Sequence, residues 1–188
     1  DTFRPGDILG EFQYASQEQD QTSEAGDQAA ENKVVLGEDD NCYTISIGNV
    51  EYRVDKTTGN ISGANIDGYS ILNNSIDFDI WRAPLDNDMY EKAYWEKEGY
   101  DRIQVYKRDI KAKVLDNYNV QFEMKLLMGT FSQVPFIQGE LKYTFKSDVS
   151  VDMDCDVKVN YKSHEDFLPR FGIKFSTPLE FNKVKYFG

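Results

Sequence analysis

The sequence predicts an all-β fold, a two-layer antiparallel β-sandwich. Apolar residues recur at every second position over long stretches, tight-turn dipeptides separate these stretches, and the 188 residues include 12 Tyr, 12 Phe and 2 Trp. A period of two is typical of strands with one buried face, and aromatic side chains fill β cores. A chain of this length can bury a sizeable core without disulfides or metals.

Short strands joined by hairpins are expected between residues 33 and 72. The dipeptides Gly48-Asn49 and Asp67-Gly68 favour two-residue hairpin turns, and Lys56–Asn60 is a third turn. The expected strands are Lys33–Leu36, Tyr43–Ile47, Val50–Val54, Ile61–Ile66 and Tyr69–Leu72. One face of the second and third strands is apolar and consists of Tyr43, Ile45, Ile47, Val50, Tyr52 and Val54.

One helix and four long strands are predicted after this region. The helical candidate is Glu91–Tyr100, a short charged segment. The strands expected after it are Ile103–Leu115, Val120–Met128, Phe136–Phe145 and Val149–Tyr161. The last one alternates apolar and polar residues over a span of roughly 43 Å at ~3.3 Å per residue. Typical strands are about half as long, so we expect a large sheet.

The formal net charge of −12 argues against phosphate-rich partners. An acidic surface repels nucleic-acid backbones and anionic membranes, and no apolar run reaches the roughly 18 residues of a membrane span. The cysteines are Cys42 and Cys155, which lie far apart in strand-like segments. Two buried reduced thiols are the favoured interpretation, and a disulfide between them is the alternative.

The run Asp86-Asn87-Asp88 has a catalytic and a structural interpretation. Carboxylates serve as general acids and bases, but Asx side chains also accept hydrogen bonds from backbone N–H groups and fix a turn. Arg82 is expected to pair with a carboxylate. The structural role is the favoured one on the sequence alone.

No metal site is predicted. His164, the only histidine, lies in a polar segment, whereas a zinc site needs three or four ligands. Asp152, Asp154 and Asp156 share one face of a predicted strand, about 7 Å apart. Exposure to solvent is the favoured interpretation of these three carboxylates.

Aromatic residues around the predicted helix also have two interpretations. They could stack on sugar rings, or they could pack the helix onto the sheet, which is the more common use. These residues are Tyr90, Tyr94, Trp95 and Tyr100.

The run from Phe78 to Asp88, FDIWRAPLDND, resembles the "R-A-P-x-D-N-D" segment of the β-galactosidase small-chain domain, which is followed by a helix containing Trp, here Trp95. Further segments match the family in order over roughly residues 22–188. They are Thr22–Gly26, Asn49–Ser62, Leu168–Gly172 and Val184–Gly188. The structural signature residues are Trp81, Arg82, Ala83, Pro84, Pro169, Arg170 and Gly172.

The resemblance implies a galactose-mutarotase-like supersandwich present as a partial domain. Residues 1–36 would hold the end of a preceding immunoglobulin-like domain and a linker, and residues 37–188 the N-terminal part of the small-chain sandwich. The remainder of that domain would follow Gly188. An edge left uncovered near Val184 would then promote self-association.

The resemblance further implies a parent enzyme of glycoside hydrolase family 2, a retaining β-galactosidase that removes terminal non-reducing β-D-galactose. Its two catalytic carboxylates would lie in a barrel domain outside this chain, so no catalytic residue is assigned here and the fragment alone is expected to be inactive. The segment toward the active-site mouth would contain Asp86, Asn87, Asp88, Met89, Tyr90 and Tyr94.

The implied partners are the barrel, the second half of the sandwich and, in the parent, a galactoside. The parent would be a homo-oligomer of the bacterial cytoplasm or periplasm, with Mg and Na ions held in other domains. Nucleic acid and membrane are not expected partners. Two positions depart from the family pattern: Asp27 replaces a usual His, and Tyr90 replaces a frequent Gly, so the loop at Tyr90 is expected to move less or differently.

Three functions remain open from the sequence. The chain could shape or buttress the active site of a β-galactosidase, act as a carbohydrate-binding module, or serve as a purely structural or oligomerisation module. The signature segment favours the first.

Overall fold

The computed structural model describes residues 32–131, 134–160 and 167–178, and these residues confirm the predicted antiparallel β-sandwich. They belong to a unit that spans Glu31–Gly188. The segments Thr22–Gly26 and Val184–Gly188, Asp27 and the His164 loop lie outside the described residues.

The first sheet contains five strands in sequence order: β1 (Val34–Glu38), β2 (Cys42–Ile47), β3 (Val50–Asp55), β4 (Ile61–Ile66) and β5 (Tyr69–Ser70). Both predicted hairpin dipeptides form turns, with φ of 59° at Gly48, 51° at Asp67 and 82° at Gly68. Positive φ in a two-residue hairpin matches the twist of the strands that it joins. β1 crosses the domain boundary expected between residues 36 and 37 and pairs with β2 along its whole length.

The second sheet has the order β10-β9-β8-β7. Its strands are β7 (Gln104–Val114), β8 (Asn119–Gly129), β9 (Ile137–Lys146) and β10 (Val151–Val159). The expectation of a strand from Val149 to Tyr161 was too long at its start, because Val149 adopts a left-handed φ of 63° and belongs to the preceding turn. Tyr161 lies outside the described residues.

The core lies between the two sheets. The predicted inward face of β8 is buried at every alternate position, and its residues are Val120, Phe122, Met124, Leu126 and Met128. Ring pairs cross from sheet to sheet: Tyr43 meets Phe122 at 5.3 Å between centroids, and Tyr52 meets Phe145 at 5.2 Å. Burial of such side chains stabilises each by roughly 1.5–3 kcal/mol.

A buried lysine also joins the layers. The Lys107 side chain is 1% exposed, and its ammonium group donates to the Asp77 carboxylate at 2.9 Å and to the Asn60 side-chain oxygen. Burial lowers the pKa of Lys107, although the Asp77 carboxylate opposes that shift. A buried charge needs such partners because an unpaired ion in the core is costly.

A third, two-stranded sheet pairs β6 (Asp77–Asp79) with β11 (Gly172–Lys174). A 3-10 turn (Asp86–Asp88) and helix α1 (Met89–Glu98) follow β6. The helix begins two residues before the predicted start and ends at Glu98, two residues before the predicted end at Tyr100. Gly99 caps it with a left-handed φ of 80°, and the Gly99 N–H donates to the carbonyls of Glu96 and Trp95.

Both cysteines are free thiols, as the favoured interpretation expected, but they are half-buried rather than buried. The Cys42 thiol donates to the Asp39 carboxylate at 3.1 Å, and this hydrogen bond raises the pKa of Cys42.

The close approach of β9 and β10 generates a stability prediction. A Cβ added at Gly139 would overlap the carbonyl oxygen of Asp156 and lie 2.7 Å from the Val157 Cα, both in the neighbouring backbone. We expect Gly139→Ala to lower the free energy of unfolding by about 1–3 kcal/mol, the usual cost of overpacking. Urea denaturation measures this difference.

The matched control is Gly63→Ala in β4, where the added Cβ would meet Arg53 side-chain atoms at an ordinary 3.7 Å. This variant should unfold close to the wild-type midpoint. Equal destabilisation by the two substitutions would contradict the predicted clash.

Candidate functional site

The candidate site centres on the signature segment Trp81–Asp88, which connects β6 with α1. Here the guanidinium of Arg82 donates two hydrogen bonds to the carboxylate of Asp88, from Nη1 to Oδ2 at 2.5 Å and from Nη2 to Oδ1 at 2.9 Å. A planar guanidinium matches a carboxylate in this two-pronged geometry, and charge-assisted bonds of this kind are among the strongest in proteins. The pair therefore closes the segment into a defined loop.

Asp88 also holds the backbone of the loop. Its Oδ2 accepts from the Leu85 N–H at 2.7 Å, and the Asp88 N–H donates to the Leu85 carbonyl at 2.9 Å. The hydrogen bonds from Arg82 and Leu85 lower the pKa of the Asp88 carboxyl, and the bond to Asp88 raises the pKa of Arg82. Asp88 is 7% exposed and remains ionised at neutral pH.

A second anchor ties this loop to the distant segment at Pro169. The Arg82 Nε donates to the Pro169 carbonyl at 2.8 Å. Arg170 also connects the two segments. Its Nη2 donates to the Asp79 carboxylate at 2.6 Å, and its backbone N–H donates to the Ile80 carbonyl at 3.2 Å.

The two segments are thus bonded in both directions beside the β6–β11 pair, in which Gly172 opposes Asp79. Signature residues far apart in the sequence therefore meet at one place.

The side chain of Trp95 packs beneath the loop. Its side chain is fully buried, and its ring contacts Trp81 at 6.5 Å and Phe167 at 5.5 Å between centroids, both edge-on. The Arg82 guanidinium carbon lies 5.5 Å from the Trp95 ring centroid, within the range of a cation–π interaction. The helix is therefore positioned by the same arginine that closes the loop.

The other aromatic residues near the helix divide between packing and exposure. Tyr100 is buried and stacks on Phe136 at 5.4 Å, and it meets the half-buried Tyr94 edge-on at 6.2 Å. Tyr90 is 83% exposed at the start of α1. Packing therefore accounts for Tyr94, Trp95 and Tyr100, and Tyr90 alone is presented to solvent.

The predicted loop residues occupy two environments. Asp88 is buried within the Arg82 pair, whereas its neighbours project outward. The exposed residues of the loop and of the first turn of α1 are Ala83, Leu85, Asp86, Asn87, Met89 and Tyr90. Pro84 is half-buried. The loop therefore has a fixed base and an exposed rim, here called the loop rim and defined by Leu85, Asp86, Asn87, Met89 and Tyr90.

Three participants were not predicted from the sequence. They are the carboxylate of Asp79, the backbone of Leu85 and the carbonyl of Pro169 as acceptor for Arg82. Backbone donors and acceptors carry no residue-type signal. Asp79 could have been noticed as a charged residue inside the short strand β6, between the buried Phe78 and Ile80.

Other chemistry-bearing groups lie elsewhere. Asp152, Asp154 and Asp156 are exposed on β10, as expected, and the Asp152 carboxylate pairs with Lys146. Among the residues that the structure describes, no three His, Cys, Asp or Glu side chains cluster in a way that could hold a metal ion. No helix in this part of the chain has the length and apolar character required to cross a membrane.

Comparison with known proteins agrees with the signature. A family model described as "Beta galactosidase small chain" matches residues 46–188. A β-galactosidase of Actinobacillus pleuropneumoniae is 28% identical over 141 residues, which is 75% of this chain and 14% of that protein. A β-galactosidase of Staphylococcus xylosus is 25% identical over 166 residues, 88% of this chain and 16% of that protein. The chain thus spans only a small part of the length of these relatives.

The Arg82–Asp88 pair generates a pH prediction. Because the folded-state pKa of Asp88 is lowered, its contribution to stability is present above the unfolded pKa of about 4 and is lost as the pH falls through the lowered value. Asp88→Asn should therefore be less stable than wild type at neutral pH, and the difference should shrink below about pH 4. Urea unfolding of both proteins at a series of pH values measures it.

The control is Asp86→Asn, an isosteric change at the exposed position two residues earlier. It should leave stability near the wild-type value across the same series. A difference between Asp88→Asn and wild type that stays constant from neutral to acid pH would contradict the assigned ion pair.

Proposed function

The chain belongs to the β-galactosidase small-chain family, and on that premise we propose that it is a non-catalytic sandwich domain of a longer β-galactosidase of glycoside hydrolase family 2. In this proposal the domain shapes and buttresses the active site of the parent, which hydrolyses terminal non-reducing β-D-galactose residues. The catalytic carboxylates belong to another domain. The remaining domains, including a barrel and the second half of the sandwich, are its partners in a homo-oligomeric parent.

The observation that carries the shaping role is the locked loop. Arg82 fixes the base of the loop with two hydrogen bonds to the Asp88 carboxylate and one to the Pro169 carbonyl, and the buried Trp95 packs beneath it. Leu85 is 66% exposed, Met89 64% and Tyr90 83%. Large side chains held on a rigid base and left uncovered suit a contact with another domain or with a substrate, because little conformational entropy is lost on binding.

The parent chemistry requires two carboxylates about 5–5.5 Å apart in a retaining enzyme. In the proposal neither carboxylate comes from this chain, and Mg and Na ions bind in other domains of the parent. The residues of the loop rim then contribute only binding and shape. Asp86 and Asn87 would offer hydrogen-bond partners to sugar hydroxyl groups, and Tyr90 an aromatic face.

A carbohydrate-binding module is the second candidate, and the exposed ring of Tyr90 is the observation that favours it. Aromatic faces pack on the apolar side of sugar rings in such modules. In this case the isolated chain would bind a galactoside by itself. In the shaping role, binding requires the parent.

The first test concerns the isolated chain. Purified protein should show no turnover of o-nitrophenyl β-D-galactoside above that of a mock preparation, because its carboxylates are not the catalytic pair. Turnover that is abolished by Asp86→Ala or Glu91→Ala would contradict the non-catalytic assignment. Calorimetric titration with galactose in the same buffer separates the two candidates, since measurable binding would favour the module.

The second test uses the longer protein that contains this segment. Tyr90→Ala should lower kcat/KM for the same galactoside several-fold, because the rim loses its largest side chain. The matched control is Tyr69→Ala, since Tyr69 in β5 is 79% exposed and distant in sequence from the rim. Equal kinetics for both variants would exclude a substrate-shaping role for the rim and leave the buttressing role.

A further inference from the structure

The strand that leads into the signature segment has few backbone contacts. β6 consists of three residues and pairs with the three residues of β11. A bridge between Ile76 and Ile61 lies just before it. A pair of short strands is marginally stable by itself, so the position of β6 depends on its side chains. That position matters because Arg82 and the loop rim follow β6 directly along the chain.

The sequence of this strand repeats every two residues. Ile76, Phe78 and Ile80 alternate with Asp77 and Asp79, and the side chains of Phe78 and Ile80 are buried. Successive side chains of a strand point to opposite faces, so a slide by two positions exchanges one apolar residue for another. Apolar burial is non-directional, and it therefore specifies the position of β6 only in part.

A slide in one direction is excluded by the core. It would move Ile80 into the place of Phe78, and Arg82 into the buried place of Ile80. A charged side chain without a partner in the core is costly. The apolar core therefore opposes this slide without help from other contacts.

The slide in the opposite direction keeps the core apolar. Phe78 would take the place of Ile80, and Ile76 would take the place of Phe78. A carboxylate would still stand beside Arg170, because Asp77 moves two positions along the strand. Neither apolar burial nor the ion pair of Arg170 therefore distinguishes this position from the observed one.

The contact of Lys107 does distinguish them. Its side chain is 1% exposed and donates to the Asp77 carboxylate at 2.9 Å and to the Asn60 side-chain oxygen. After the slide the neutral Ser75 would stand in the place of Asp77. The Lys107 ammonium group would then lie in the core without a counter-ion, and breaking a buried ion pair in this way is strongly destabilising.

The two large sheets fix the position of the Lys107 side chain. Lys107 lies in β7, opposite Leu126 of β8. The turn before β4 packs closely against it, because a Cβ added at Gly59 would lie 3.1 Å from the Lys107 Cβ. In the same turn the Asn60 carbonyl accepts from the Asp55 N–H at 2.9 Å. The sandwich therefore presents a cation to β6 at a defined place.

We propose that Lys107 is a positioning residue for the loop rim: through Asp77 it sets the register of β6, and the register sets where the loop from Trp81 to Asp88 stands on the sandwich. Buried ionic groups specify one of several registers in other proteins. The effect of Lys107 on a substrate rests on the shaping role proposed above, whereas its effect on the loop does not.

Tryptophan fluorescence of the chain tests the proposal, because its two tryptophans are Trp81 in the loop and Trp95 beneath it. We expect Lys107→Met to shift the emission to longer wavelength and to increase quenching by acrylamide, since a strand that samples two registers exposes both rings more often. The control is Lys113→Met in the same strand, which breaks the surface pair with Glu123 and should change neither quantity. Equal changes in both variants would overturn the proposal.

A double variant separates positioning from the neutralisation of charge. Lys107→Met combined with Asp77→Asn leaves no unpaired charge in the core, so it should fold even if the single substitution prevents folding. The amide oxygen can still accept from the Phe78 N–H, but the ion pair that selects the register is gone. We expect the altered emission and quenching to persist. Their return to wild-type values in the double variant, or unchanged values in the single variant, would overturn the proposal.

Kinetics of the longer protein that contains this segment test the consequence for a substrate. The double variant should raise KM for o-nitrophenyl β-D-galactoside several-fold and change kcat less, because a displaced rim removes binding that substrate and transition state share. Lys113→Met is again the control and should match wild type. Altered fluorescence of the chain together with unchanged kinetics would uphold the positioning of the loop by Lys107 and exclude the shaping role of the rim.

Discussion

The guanidinium of Arg82 is the interaction on which the site depends. It bonds the Asp88 carboxylate twice, the Pro169 carbonyl once, and lies over the ring of Trp95. Lysine could satisfy one of these contacts but not all, because an ammonium is a point charge without the planar fork. Loop, helix and the β6–β11 pair are therefore organised around a single side chain.

Much of the sandwich follows from local patterns. The five inward residues of β8, from Val120 to Met128, were predicted because a strand with one buried face must alternate. The limits of β10 were not, since Val149 continues the apolar alternation and its left-handed φ is imposed by the turn. Pairing of β6 with β11 was likewise beyond local reasoning, because each strand has only three residues and their partners are far apart in the sequence.

The site could be located from the sequence but not resolved into roles. Asp86, Asn87 and Asp88 are chemically similar neighbours, and nothing in their order tells which one turns inward. Only the folded loop distinguishes Asp88, which is buried against Arg82, from the exposed pair before it. The favoured interpretation of Tyr90 as a packing residue was wrong, because the helix begins at Met89 and leaves the Tyr90 side chain 83% exposed.

The buried Lys107 has a consequence for how this sequence can diverge. Its ammonium group bridges Asn60 in one layer and Asp77 in the third sheet. Replacement of Asp77 by an apolar residue would leave the Lys107 ammonium group in the core without a counter-ion. Replacement of Lys107 would leave the Asp77 carboxylate without its counter-ion. The first change is the costlier one, because the Lys107 side chain is 1% exposed whereas the Asp77 side chain is 39% exposed and can be solvated by water. A lysine at position 107 is therefore expected to occur among related proteins together with a carboxylate at position 77, although the two residues come from separate parts of the chain.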